Sequence, residues 1–292
     1  MSFRPRRSVL YMPGANARAL EKSRTLAADC LILDLEDSVA PEATEEARRQ
    51  VTAAVAQGGY GRREVVIRIN GPETPWGDDD LKAAAQTTAD AVLVPKVSHA
   101  GDVLRACQNL KRAGARPGLA LWAMMETPAA ILNAQEIAAA RGEGPGLAVL
   151  VLGTNDLTKE TRARAGNGRL AIVPWLATSV LAARASGIDV IDGVYNDFKD
   201  EAGFRAECEQ GRDLGMDGKT LIHPSQIEPC NAIFAPSAED VARAGKIIAA
   251  FGEPQNAGRG VITVDGRMVE RLHLAMAERT VEIARAIGGS DE

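Results

Sequence analysis

Glu126 closes an uninterrupted apolar run, residues 119–125, and Thr127-Pro128 follows it at once. A run of that kind is a strand buried on both faces. Thr127 as N-cap and Pro128 at the first helical position then start a helix. A carboxylate so placed stands at the C-terminal edge of a strand, where open α/β sheets and α/β barrels build their ligand sites. Other apolar runs end the same way: in Asp34, Glu36 and Asp37, in Arg68 and Asn70, in Lys96, in Asp156, and in Asn196. Glu126 and Asp156 follow consecutive strands. Side-by-side carboxylates repel unless a proton or a cation separates them. Neither has an Arg or Lys immediately beside it at its strand end. A hard divalent cation held by two carboxylates, water and substrate oxygens is Mg2+ behaviour, and we expect Mg2+ between Glu126 and Asp156. Arg68 offers a planar fork for a substrate carboxylate. Gly153-Thr154-Asn155 offers backbone N–H groups as an anion nest. Glu36, Asp37 and Lys96 are expected around these groups, supporting them.

The elements that must position these residues alternate. Strand runs at 9–12, 30–35, 64–70, 91–96, 119–125, 147–152, 189–194 and 218–222 are each followed by helical spacing or by a turn and a helix. The helices are expected near 16–29, 41–58, 78–88, 98–113, 128–141, 174–186 and 200–214. Alternating β and α predicts a parallel sheet. An open doubly wound sheet needs a Gly-rich phosphate loop after its first strand, and Pro13-Gly14-Ala15-Asn16 lacks the G-x-G-x-x-G spacing. Eight such units predict a (β/α)8 TIM barrel over 1–235. The tail, 236–292, changes pattern. Ser237 and Asp240 form a capping box for a helix to about 251. Asp265-Gly266 is a hairpin turn, and 270–287 has helical spacing. We expect this tail, too small to stand on a core of its own, to pack on the barrel or on a neighbouring subunit.

Composition narrows the function classes. The 292 residues are 46% hydrophobic and 25% charged, with a net charge of −5. Those are the values of an ordinary globular chain. No basic block supplies an electrostatic footprint for nucleic acid. The apolar runs fall short of a membrane span. Arg4, Arg6 and Arg7 are not followed by a signal-peptide h-region. Cys30, Cys107, Cys208 and Cys230 are scattered without Cys-x-x-Cys, the usage of reduced thiols in a cytoplasmic protein. His99 reads as a surface residue, and His223 and His273 as structural.

The sequences 7–14 (RSVLYMPG), 33–39 (LDLEDSV), 67–70 (IRIN), 94–96 (VPK), 125–128 (METP), 153–157 (GTNDL) and 222–224 (IHP) stand in the order found in the citrate lyase β-subunit family. The chain resembles that family, within the HpcH/HpaI aldolase superfamily. The resemblance implies Mg2+ at Glu126 and Asp156 and a substrate carboxylate on Arg68. It implies a homotrimer or hexamer. The implied reaction is retro-Claisen/aldol cleavage of a citryl-, malyl- or citramalyl-type thioester, carried on CoA or on acyl-carrier protein. The products would be an acyl thioester and a 2-oxoacid such as oxaloacetate. Arg4, Arg6 and Arg7 are candidates for CoA phosphates. In the family the terminal acid is an aspartate in a G-x-M-I-D segment reaching in from a neighbouring subunit. Here 266–270 reads Gly-Arg-Met-Val-Glu, so Glu270 takes that place, with Asp265 the weaker candidate. Asn155 stands where many members are acidic. Two alternatives remain open: a thioesterase hydrolysing malyl- or citramalyl-CoA at the same mouth, and a catalytically silent binding subunit.

Overall fold

The computed structural model describes residues 4–142 and 144–288. Eight parallel strands close in sequential order into a barrel. They are β1 (Ser8–Pro13), β2 (Cys30–Asp34), β3 (Glu64–Arg68), β4 (Ala91–Val94), β5 (Ala120–Met125), β6 (Leu147–Leu152), β7 (Asp189–Asp192) and β8 (Gly218–Leu221). The first four are followed by α1 (Ala17–Ser23), α2 (Thr44–Gln57), α3 (Gly77–Ala85) and α4 (Ala100–Arg112). Then come α5 (Pro128–Leu132) and α6 (Ala134–Ala139) after β5, and α7 (Thr154–Thr161) and α8 (Val173–Ser186) after β6. Next are α9 (Glu201–Asp213) after β7 and α10 (Ile227–Phe234) after β8. The (β/α)8 barrel expected from the alternation is the fold found. No helix among the described residues is long and apolar enough to cross a membrane.

The barrel interior follows from the strand period of two. Val9, Cys30, Ile32, Val66, Leu93, Trp122, Met124, Val149, Val151 and Ile191 pack into one buried cluster. Continuing those alternations by one step gives the mouth: Cys30-Ile32 leads to Asp34, Val66 to Arg68, Trp122-Met124 to Glu126. The intervening residues face the helices. Among these, Lys219 is wholly buried and bonds Asp192 Oδ2 (3.0 Å), Gly193 O (2.6 Å) and Glu207 Oε1 of α9 (2.6 Å). Arg169 completes this network, with Nη1 2.8 Å from Asp192 Oδ1.

Some helices differ from the sequence expectation. The helix expected to run to 141 breaks at Asn133 (φ −105°, ψ 15°), whose amide turns to donate to Ser98 O at 3.0 Å. Neither α7 nor α10 was expected. Thr154–Asp156 had the look of a strand-end turn. Pro229 lies in the first turn of α10, where its missing N–H costs nothing.

Arg6 and Arg7 lie at the opposite end of the barrel from the mouth, which corrects their assignment to CoA phosphates. Arg6 donates from Nε and Nη2 to Glu64 at 2.6 and 2.8 Å and from Nη1 to Asp189 at 2.5 Å, tying the starts of β3 and β7. Its guanidinium stands 5.4 Å from the Trp122 ring centre, flooring the core. Arg7 pairs with Asp29 at 2.8 Å. A Cβ on Gly218 would lie 1.9 Å from Arg6 O, so only glycine lets the chain enter β1 beside β8.

The chain divides into two compact units between Asn231 and Ala232, earlier than the expected boundary; Arg4 and Pro5 belong to the C-terminal one. That unit contains α11 (Ala238–Gly252), a hairpin of β9 (Val261–Val264) and β10 (Arg267–Glu270), and α12 (Arg271–Gly288). Ser237 and Asp240 form the expected capping box. Asp265 and Gly266 both have positive φ, 49° and 75°, as a tight hairpin turn requires. The tail does hold a small core: Ala244, Ile247, Ile262, Val269 and Ala277 are buried together.

Arg6→Met should leave Glu64 buried without its cation. We expect a loss of about 3–5 kcal/mol in urea unfolding, with KM for any thioester substrate unchanged. An unaltered unfolding midpoint would remove Arg6 from the barrel floor.

Candidate active site

Asp34 and Arg68 are register partners on neighbouring strands, and both point into the mouth. Arg68 Nε donates to Asp34 Oδ1 at 2.6 Å and Nη2 to Oδ2 at 2.7 Å, a two-point pair. Asp34 also accepts the backbone N–H of Glu36 (3.0 Å) and of Ser38 (3.1 Å), which folds the loop after β2 over the mouth. Burial pushes the Asp34 carboxyl up, but Arg68 and these bonds outweigh it and hold it below the usual carboxylate range. The Arg68 fork, expected to be available to a substrate carboxylate, is therefore already engaged by Asp34. Nη1 is the nitrogen turned elsewhere, 3.0 Å from Asp37 Oδ2 and 2.8 Å from Glu36 Oε2. Asp37 is 63% exposed, so its side chain is readily exchanged for another anion. The guanidinium also stacks 4.8 Å from the centre of the Tyr11 ring.

Glu36 is the buried carboxyl of this group. Its Oε2 lies near Arg68 Nη1 but makes no hydrogen bond. Burial pushes its pKa up to about 8 against the pull of Arg68, with Asp37 and Glu126 adding repulsion. At neutral pH Glu36 is mostly a neutral acid.

Across the mouth, Glu126 is 1% exposed at the end of β5. Thr127 caps α5 by accepting Ala130 N–H at 3.0 Å, with Pro128 at the first position, so the strand-to-helix turn holds the carboxylate in place. Gly153 makes room for it: a Cβ there would be 2.4 Å from Glu126 Cβ. Glu126 Oε1 accepts the backbone N–H of Lys96 at 2.7 Å. Lys96 Nζ lies 3.6 Å from Glu126 Oε1 and 3.3 Å from Asp156 Oδ1. The expectation that no cation stands beside these two carboxylates is thus corrected. Lys96 is distant in sequence, and β4 and the turn after it deliver its ammonium to both. Burial pushes Glu126 above the ordinary carboxylate range, Lys96 opposing.

Asp156 sits in the first turn of α7, beside Thr154 and Asn155. The expected nest changes in one respect: the Gly153 N–H is spent on Met125 O at 3.1 Å. The first-turn N–H groups of a helix have no intrahelical acceptor, so those of Thr154 and Asn155 remain suited to an anion. Asn155 and Asn196 exchange amide hydrogen bonds at 3.2 and 2.8 Å, joining α7 to the loop after β7. Asn70 leaves the constellation, because its amide is turned to Leu35 O and Asp80.

Asp34, Asp37, Arg68, Glu126, Asp156 and Asn196 line a cleft of about 270 Å³, with Tyr11, Met124, Thr220 and Ile222 as its less polar walls. Sequence reasoning put Asp34 at a strand end without giving it a role and left Tyr11 out of the site; the alternation Val9-Tyr11 and Cys30-Ile32-Asp34 carried the signal. Among the described residues no three metal-ligating side chains gather at one point. Two carboxylates at a wet cleft fit a cation that keeps several waters and takes substrate oxygens, which is the coordination of Mg2+. Glu270 ends β10 in the C-terminal unit, where its N–H donates to His273 Nδ1 at 2.9 Å. Asp265 is held in the hairpin turn, 2.7 Å from Lys246 Nζ.

The family model described as HpcH/HpaI aldolase/citrate lyase matches residues 7–224. The chain is 52% identical over 283 residues to a (3S)-malyl-CoA thioesterase of Cereibacter sphaeroides, covering 97% of this chain and 96% of that protein. It is 36% identical over 287 residues to the citrate lyase subunit beta of Escherichia coli, covering 94% of each. Among solved structures, CitE from Mycobacterium tuberculosis in complex with magnesium, acetoacetate and coenzyme A superposes with a TM-score of 0.75. The two share 29% identity over 96% of this chain and 97% of that one.

The raised Glu36 acid makes stability depend on pH with a definite sign. Its pKa is about 8 in the folded protein and about 4.3 in an unfolded chain. The folded state therefore binds the extra proton between those values, and this contribution falls as pH rises from 5 to 8. Chemical unfolding of wild type should weaken over that window relative to Glu36→Gln, by up to about 1.4 kcal/mol per pH unit. Parallel pH profiles for the two proteins would show Glu36 to be an ordinary, ionised carboxylate.

Proposed function

Because this chain belongs to the HpcH/HpaI aldolase/citrate lyase family, we propose that it hydrolyses a malyl-CoA-type thioester, releasing the hydroxydiacid and free CoA. The observation carrying this reading is the 52% identity to (3S)-malyl-CoA thioesterase across nearly both full lengths, against 36% to citrate lyase subunit beta. The substrate's free carboxylate takes the place of Asp37 on Arg68 Nη1, while Asp34 keeps the guanidinium plane fixed. Glu126 and Asp156 hold Mg2+, which when bound supplies Lewis-acid polarisation of substrate oxygens. The first turn of α7, at Thr154 and Asn155, faces developing negative charge. Glu36 stands beside Arg68 as a proton donor or acceptor within reach of neutral pH.

Carbon–carbon cleavage is the second reading, favoured by the citrate lyase relatives and by a mouth that serves either reaction. In that reading malyl-CoA gives acetyl-CoA and glyoxylate. The acetyl-CoA enolate then takes a proton from Glu270 of a neighbouring copy in a homotrimer or hexamer.

Incubation with malyl-CoA should give malate and CoA in equal amounts, with no acetyl-CoA. EDTA should abolish turnover, and Glu126→Gln and Asp156→Asn should each lower kcat/KM on the order of 100-fold or more. Acetyl-CoA and glyoxylate as the main products would establish the lyase instead. Absence of turnover on malyl-, citramalyl- and citryl-CoA alike would leave a silent binding subunit.

Glu270 separates the two enzymatic readings a second way. Hydrolysis forms no enolate that needs a proton, so Glu270→Ala should retain most thioesterase activity. A fall of about 100-fold or more, the cost of losing a general acid, would place Glu270 in the reaction and speak for cleavage.

A further inference from the structure

Lys96 is unusual twice over. Its φ is +54°, a left-handed conformation that L side chains seldom adopt, in the turn that follows β4. Such strain persists only where surrounding contacts over-determine it, and it clusters at functional sites. Here both ends of the residue reach Glu126, and the ammonium reaches Asp156 as well. The N–H donates to Glu126 Oε1 at 2.7 Å. The Nζ lies 3.6 Å from that same oxygen and 3.3 Å from Asp156 Oδ1.

We propose that Lys96 is a built-in competitor of the divalent cation: its ammonium neutralises Glu126 and Asp156, must withdraw for the metal to bind, and thereby makes metal uptake depend on an anionic substrate. This rests on the proposed placement of the metal at those two carboxylates.

Three observations carry it. The ammonium is within hydrogen-bonding reach of Asp156 and close to Glu126, on the oxygens a cation would use. Its side chain is 35% exposed, so a flexible four-carbon stem has solvent to swing into. The backbone N–H contact does not depend on the ammonium, so Glu126 stays oriented when Nζ leaves. The direction of coupling follows from charge. Two carboxylates and one ammonium carry a net charge of about −1, and a divalent cation beside them turns the cluster positive. An acidic substrate restores the balance, and the released ammonium gains a partner.

Mn2+ binding to the full-length protein, followed by electron paramagnetic resonance of the free ion with and without malate, tests this apart from turnover. Lys96→Gly suits the left-handed backbone, and Lys96→Met keeps the stem without the charge. Both should bind Mn2+ roughly tenfold or more tighter than wild type. Malate should tighten Mn2+ binding more in wild type than in either variant. If both variants bind Mn2+ no tighter than wild type, the competition is refuted. Equal tightening by malate in all three refutes the coupling. Glu126→Gln separates the two layers. Retained Mn2+ affinity in that variant overturns the metal site and the Lys96 inference with it. Lost affinity there, with unchanged affinity in the Lys96 variants, removes the inference alone.

Discussion

Five carboxylates, Asp34, Glu36, Asp37, Glu126 and Asp156, meet at one rim of the barrel, and Arg68 and Lys96 are the cations set among them. Like charges this close raise each other's free energy steeply as solvent is withdrawn. Each group therefore has a defined solution. Asp34 is wedged into the Arg68 fork. Glu36 takes up a proton. Asp37 stays in water. Glu126 and Asp156 share Lys96. The strained backbone of Lys96 and the glycine at 153 both follow from this arrangement. One brings a cation to the pair, and the other leaves space for a buried glutamate.

The opposite end of the barrel handles charge differently. Arg6, Glu64 and Asp189 form a closed set in which each charge has a fixed opposite partner, as do Lys219, Asp192, Arg169 and Glu207 behind β7 and β8. Nothing in these sets is left for a ligand. The division is general for such barrels: conserving rigidity below lets the loops above carry chemistry. The Lys219 network also bears on the mouth, because its bonds to Asp192 and Gly193 O fix the end of β7 just before Asn196. The Asn155–Asn196 clasp is thereby anchored on a strand end that cannot drift.

The strands, the barrel and the carboxylate at Glu126 were legible in the sequence because two-sided burial and strand-to-helix punctuation are local signals. Thr127-Pro128 announces its helix, and Asp265-Gly266 its turn, within a few residues. What escaped was set by closure. Arg6 and Arg7 look like free terminal charges until β1 is paired with β8 and their partners arrive from β2, β3 and β7. Lys96 looks remote from Asp156, separated by 60 residues, until two strand–helix units bring the two together. The Arg68 fork looks available until its register partner proves to be Asp34. Asn70 has the parity of Arg68 but lies two residues past the end of β3, where its amide turns to Leu35 O and Asp80. Position along the chain gave which residues lie near the mouth, and parity with ring closure decided which of them face it.

The same reasoning bears on which bond the enzyme breaks. Hydrolysis and carbon–carbon cleavage both require the substrate carboxylate to be held and an oxygen to be polarised, tasks we assign to Arg68, Glu126 and Asp156. Cleavage alone also requires an acid placed over an enolate carbon. By the resemblance to the citrate lyase β-subunit family that acid would be an aspartate, and the position we assign to it here holds Glu270, one methylene longer. Misplacing a catalytic group by about 1 Å costs on the order of 100-fold, so a group under selection for that step tolerates such a change poorly. The groups shared by both reactions are present, and the departure falls on the one that hydrolysis dispenses with. The departure at Glu270 and the identity to the thioesterase relatives both agree with the hydrolysis we propose.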